Sequence, residues 1–141
     1  MRRIVILLIL QIIATGFCFG QLPHTFTQYT SEDGLSQNTI MSILQDDKGV
    51  MWFATWDGLY KFDGYTFNNY KAHPGDSIGL SNNRLDNIKE DRYGYIWVQS
   101  YNHQVYRFNP RLERFQAIPY DNYLSLDMYV LPCGDVWIIT V

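Results

Sequence analysis

Cysteine is nearly absent from this 141-residue chain, with only Cys18 and Cys133. Cys18 lies in an N-terminal stretch with the features of an export signal. Once that stretch is removed, Cys133 has no partner and no internal disulfide can form. A lone thiol with no placed base reads as inert. Cys18 follows the bulky Phe17, which argues against lipoprotein processing there. Histidine is equally sparse, and His24, His73 and His103 fall at neither of the spacings that zinc sites use, His-x-His and HExxH. Asp46, Asp47 and Asp57 miss the spacing of a calcium loop. There is no Gly-x-Ser-x-Gly, no P-loop and no phosphate-cradling glycine run. The adjacent carboxylates Asp46-Asp47 and Glu90-Asp91 point to opposite faces if they lie on strands, a poor geometry for acid–base work. The reading is therefore no catalytic residue, no metal and no cofactor. Positive charge is also short, with 11 Lys and Arg against 14 Asp and Glu. With no basic cluster, nucleic acid is not an expected partner of this segment.

Long apolar runs are confined to the start. Met1-Arg2-Arg3 precedes Ile4 to Ala14, which is apolar except for Gln11, and Cys18-Phe19-Gly20 ends in a small residue. This is the layout of a signal peptide over 1–20, cleaved before Gln21. An uncleaved anchor is the alternative, but the run falls short of the ~20 residues a spanning helix needs. The expected localisation is exported.

Turn residues and aromatics are abundant, and they are ordered. Gly34 to Lys71 reads as four short strands joined by tight turns. Ile40 to Gln45 stops at Asp46-Asp47-Lys48-Gly49, which suits a type I turn. Val50 to Thr55 returns, rich in β-branched and aromatic residues. Asp57-Gly58 then gives a hairpin turn, Leu59 to Phe62 a third strand, Asp63-Gly64 a further turn and Tyr65 to Tyr70 a fourth strand. Such a meander is one β-propeller blade.

The pattern repeats. A shift of about 45 residues carries Gly34-Leu35-Ser36 onto Gly79-Leu80-Ser81, Asp46 onto Asp91, Gly49 onto Gly94 and Trp52 onto Trp97. A further shift of about 40 carries Gly94 and Trp97 onto Gly134 and Trp137. The fold class is all-β, an incomplete propeller of about two and a half blades. Its divisions are an N-terminal strand (Phe26 to Thr30) and lead-in over 21–33, blade one over 34–78, blade two over 79–122 and the start of blade three over 123–141. Propellers close with about four to eight blades, so the chain is expected to be part of a longer protein.

These residues resemble the two-component-regulator propeller repeat, GLSxNx(I/V)xxIxxDxxGxxWxxTxxGLxx(F/Y). The first unit matches it from Gly34 through Phe62. The second has His103-Gln104 in place of Gly-Leu and Ser100 in place of Thr, and the third matches only around Gly134 to Thr140. The resemblance implies the periplasmic sensor portion of a hybrid two-component regulator of the Bacteroidetes type. It further implies a parent anchored in the inner membrane that works as a histidine kinase, with further blades and downstream domains as partners. A homodimeric parent and a glycan or oligosaccharide ligand also follow from the resemblance. An exported propeller enzyme or a lectin-like scaffold is the alternative.

Within that frame, residues that recur are read as structural: Gly49, Trp52, Gly94, Trp97, Gly134 and Trp137. Asn38 and Asn83 also recur and either fix a turn or touch a ligand. The second-to-third-strand turns do not recur as a type, with Trp56-Asp57-Gly58 in blade one and Tyr101-Asn102-His103 in blade two. They share a face with the inter-blade connections, which carry Asn82 and Arg84. Aromatic rings beside amide and guanidinium groups suit a sugar, so Trp56, Asp57, Arg84, Tyr101, Asn102 and His103 are the candidate ligand residues.

Overall fold

The computed structural model describes residues 25–73, 75, 79–119 and 124–141. The expected signal peptide lies outside them, and no helix among the described residues is long and apolar enough to cross a membrane. Two Asp residues build the frame. Asp46 Oδ1 accepts the N–H groups of Lys48 and Val50 at 3.0 and 2.9 Å, while Oδ2 accepts the Trp52 indole N–H at 2.9 Å. Asp91 repeats this with Tyr93 and Tyr95 at 2.9 and 3.0 Å and the Trp97 indole at 2.8 Å. One carboxylate thus satisfies a turn's orphan donors and pins the ring of the next strand. Gly49 and Gly94 close these turns at φ 82° and 80°, where a side chain would be strained. In blade three, Leu131 holds the aspartate position. That turn is closed by the backbone bonds Leu131 N–H to Asp135 O and Gly134 N–H to Leu131 O, both 2.8 Å, with Cys133 Sγ 3.3 Å from Asp135 Oδ2.

From these turns grow antiparallel meanders. Blade one is β1 (Ile40–Gln45), β2 (Met51–Thr55), β3 (Gly58–Phe62) and β4 (Phe67–Tyr70), hydrogen-bonded in that order. Blade two is β5 (Leu85–Glu90), β6 (Ile96–Ser100), β7 (Val105–Asn109) and β8 (Arg114–Ala117), ordered the same way. A third, two-stranded sheet pairs β9 (Ser125–Val130) with β10 (Val136–Thr140). The register repeats with the sequence: Leu44 faces Trp52, Lys89 faces Trp97 and Tyr129 faces Trp137.

Side chains alternate across each sheet, and the two faces of a blade do different jobs. Trp52 and Ala54 of β2 share the core with Ile96, Val98 and Phe108 of blade two. Trp52 meets Phe108 edge-on with ring centroids 5.6 Å apart and stacks on Tyr70 at 6.3 Å. The tryptophan face of one blade therefore packs on the opposite face of the next. Trp52 is 1% exposed, Trp97 is half-buried, and Trp137, at the equivalent position of the third sheet, is 65% exposed. The Gly-Leu-Ser lead-ins are clasps. Leu35 and Leu80 are buried, the Ser36 and Tyr60 hydroxyls are hydrogen-bonded, and Ser81 Oγ lies 2.6 Å from the Tyr106 hydroxyl.

Three local expectations differ from the structure. Residues Phe26 to Thr30 form no strand. No ladder is offered to them, and Tyr29 instead lays its ring against Phe62 and Phe67, at 4.9 and 5.6 Å between centroids. A single-turn 3₁₀ helix follows at Ser31–Asp33, closed by a capping box between Thr30 and Asp33. The first hairpin loop is Trp56-Asp57, because Thr55 pairs with Gly58. Only Gly58 has positive φ, at 113°, which excludes the two-residue turn with both central residues left-handed. The fourth strand begins at Phe67 rather than Tyr65, since the Asp63 carboxylate takes the N–H groups of Tyr65 and Thr66, each at 2.9 Å, into its turn.

Candidate functional site

Backbone pairing at the start of blade two assembles the candidate face. Asn83 O accepts the Gly58 N–H at 2.9 Å, and Arg84 O accepts the Tyr101 N–H at 2.8 Å. Two consecutive residues therefore hold the hairpin turn of blade one and that of blade two. The Arg84 side chain consequently stands between the rings that lead those turns. Its Cζ lies 4.3 Å from the Trp56 ring centroid and 3.9 Å from that of Tyr101, well within cation–π range. Trp56 is 42% and Tyr101 53% exposed, so both rings also present area to solvent. Arg84 Nε is buried with no hydrogen-bond partner.

The other four candidates are arranged differently. Asp57 faces away from a free role. Its Oδ2 pairs with Lys71 Nζ at 2.6 Å and accepts the Ser36 hydroxyl at 2.5 Å. Burial opposes its ionisation, but the Lys71 and Ser36 bonds outweigh that and hold the carboxyl below its ordinary value. The same bond to Asp57 raises the Lys71 amine. Asn102 serves its own turn, with Oδ1 accepting the Ser100 hydroxyl at 2.6 Å and Nδ2 reaching Ser81 Oγ at 3.4 Å. His103 occupies the left-handed region at φ 64°. Its Nδ1 is 2.8 Å from Ser125 O, and the Ser125 hydroxyl donates to its carbonyl, so it joins blade two to β9. Asn83 accepts the Ala72 N–H through Oδ1 at 2.6 Å, a turn-fixing bond. The structure thus brings together Trp56, Arg84 and Tyr101.

Sequence reasoning missed Lys71, which neutralises Asp57 across the blade. Lys71 has no counterpart in the repeat, and only its place directly after β4 could have pointed to it. It also missed a recess of about 380 Å³ bordered by Asn69, Tyr70, Lys71, His73, Glu113 and Phe115. There the Tyr70 hydroxyl donates to Glu113 at 2.8 Å, and Glu113 sits at φ 52°. No group of acids, histidines and cysteines that could hold a metal ion occurs among the described residues.

Comparison with known proteins returns the same repeat. The family described as "Two component regulator propeller" matches residues 34–57. A protein named histidine kinase P4, from Formosa agariphila, is 48% identical over 56 residues, which is 40% of this chain and 4% of that protein. Among solved structures, the extracellular domain of a hybrid two-component system from B. thetaiotaomicron superposes with a TM-score of 0.67 at 24% identity, over 82% of this chain and 18% of that one. PorZ of Porphyromonas gingivalis, a surface component of the type-IX secretion system, gives 0.53 at 19%, over 72% and 15%. The chain therefore spans a small part of each relative, and the two structural likenesses speak for the fold. Residues 34–57 match the two-component-regulator propeller repeat, within an all-β, blade-built fold.

Proposed function

We propose that this chain belongs to the sensor region of an exported hybrid two-component regulator and helps recognise a glycan or oligosaccharide breakdown product. The observation that carries the reading is the contrast between what repeats and what does not. The Asp–Trp and Ser–Tyr clasps recur in both full blades, as a scaffold requires. Trp56 and Tyr101 hold equivalent places but differ in residue, Arg84 has no basic counterpart, and the three gather on one face. Two partly exposed rings flanking a cation offer stacking area and hydrogen-bond donors together, the mixture that sugar sites use. The named relative, a histidine kinase, and the two-component propeller repeat support the same class of parent. In that parent, saccharide binding biases a dimer between two signalling states, by no more than its differential affinity for them. The periplasm is the proposed compartment, with the parent anchored in the inner membrane.

The test is autophosphorylation of the intact regulator in membranes, titrated with a panel of oligosaccharides. Trp56→Ala combined with Tyr101→Ala should raise the half-maximal saccharide concentration at least about tenfold, the loss of roughly 1.4 kcal/mol of contact, and leave basal phosphorylation unchanged. A regulator that answers saccharide at full strength without these rings would overturn the assignment of the face. Saccharide binding with no phosphorylation response would make the chain a lectin-like scaffold instead.

A further inference from the structure

Arg84 narrows the ligand further. Its equivalents in the neighbouring blades are Thr39 and Leu124, so the repeat itself has no need of a guanidinium here. The guanidinium carbon lies within cation–π distance of two rings, Trp56 at 4.3 Å and Tyr101 at 3.9 Å. Its inner edge is out of reach, since Nε is buried and unsatisfied. Neither terminal nitrogen is buried in this way, and neither is hydrogen-bonded to the described residues, so the outward edge carries Nη1 and Nη2 toward solvent. Among the described residues no carboxylate pairs with it. The one ion pair among the described residues is Lys71 with Asp57, the acid of the adjoining turn. The chain thus holds a flattened, pre-oriented cation on an acidic molecule, with its remaining donors presented as a parallel pair.

A parallel N–H pair is the complement of a carboxylate, which it binds bidentately. Stacking between rings fixes the plane, so less side-chain freedom is lost on binding. The rings beside it are placed to take the apolar face of the sugar that bears the acid. We infer that Arg84 is a receptor for the carboxylate of an acidic saccharide, a uronic-acid oligosaccharide, with Trp56 and Tyr101 stacking on its sugar rings. This rests on the saccharide-sensing reading above and adds the charge class of the ligand.

The experiment uses the intact regulator and, as probes, uronic-acid oligosaccharides prepared from pectin, alginate and glucuronan, each paired with its carboxyl-reduced counterpart. Titration calorimetry should find one acidic member binding at least tenfold tighter than its reduced form, with a preference that shrinks as salt rises. Arg84→Gln should abolish that preference, bringing the affinity for the acidic form down to that for its reduced counterpart. Arg84→Lys, which keeps the charge without the planar fork, should retain part of the preference and guards against a folding defect in the first variant. Equal binding of acidic and reduced forms would overturn the inference while sparing the sensing reading. Failure of every saccharide, acidic or reduced, would overturn both. An acid preference that survives Arg84→Gln would reduce Arg84 to a spacer between turns.

Discussion

Replacing the three equivalent tryptophans one at a time should give three very different losses of stability. The sheet faces dictate the order. Trp52 is 1% exposed, stacks on Tyr70, meets Phe108 of the next blade and donates to Asp46 at 2.9 Å. A buried indole covers roughly 150–250 Å², which at about 25 cal/mol/Å² is some 4–6 kcal/mol. That agrees with the ~3–5 kcal/mol found when large aromatics are truncated in cores. Trp137 is 65% exposed and has Leu131 where the other blades place the carboxylate, so only about a third of that burial term remains, near 1.5 kcal/mol. Trp97 keeps its bond to Asp91 at 2.8 Å but is only half-buried, and falls between. Urea denaturation of the chain and its variants, followed by circular dichroism, measures the series. Trp52→Phe separates packing from the indole bond and should cost about 1–2 kcal/mol, because Asp46 remains held by Lys48 and Val50. Equal costs at all three positions would refute the rule that each blade lends its tryptophan to the next.

Three further outcomes follow. The depressed Asp57 carboxyl stabilises the fold above its unfolded value near 4, and that share is lost as pH falls through the folded value; the raised Lys71 amine stabilises below about 10.4 and its share is lost as pH climbs through the folded value. The pair is partly exposed and worth no more than about 1 kcal/mol, so Lys71→Met should lower the melting temperature by a few degrees across the central pH range and converge on the parent profile at the acid and alkaline ends. Glu90, pushed up by burial and by Asp47, Asp46 and Asp91, burdens the fold increasingly as pH rises past about 4.3; Glu90→Gln should therefore raise the melting temperature at pH 7 and lose that advantage near pH 4. Gly58→Ala should cost more than Gly64→Ala in the same melts, since both have positive φ but a Cβ at Gly58 would sit 2.5 Å from Tyr70 O and one at Gly64 meets nothing within 4 Å.

Much of the fold was legible because the repeat fixes several levels at once. Asp46, Gly49 and Trp52 recur as Asp91, Gly94 and Trp97, and turn, register and packed ring come with them. The indole-to-carboxylate bond was implicit in that spacing, though only geometry reveals it. The segment Phe26 to Thr30 was misread for a physical reason. Alternation marks an extended chain with one apolar side, and Tyr29 achieves that by resting on Phe62 and Phe67 without a hydrogen-bonded neighbour. The candidate face was legible as a set of turns but not as contacts. Their place in the second-to-third-strand turns put Trp56 and Tyr101 on one side, whereas Arg84 between them depends on paired carbonyls at Asn83 and Arg84. Asp57 and Asn102 are as polar as a ligand site demands, yet Lys71 and Ser100 occupy them. Composition cannot distinguish an engaged side chain from an open one.

The graded cover of the tryptophans also has an optical consequence. Four indoles report from four settings: Trp52 sealed between sheets, Trp97 half-shielded, Trp56 against a guanidinium and Trp137 open to water. A collisional quencher in solvent reaches Trp137 and the outer ring face of Trp56 first and Trp52 last, so the light left under heavy quenching comes from the contact between blades one and two. Emission from the accessible fraction carries Trp56, the ring that shares a cation with Tyr101. The chain is thereby labelled by its own residues, with one chromophore at the buried seam and another at the candidate face.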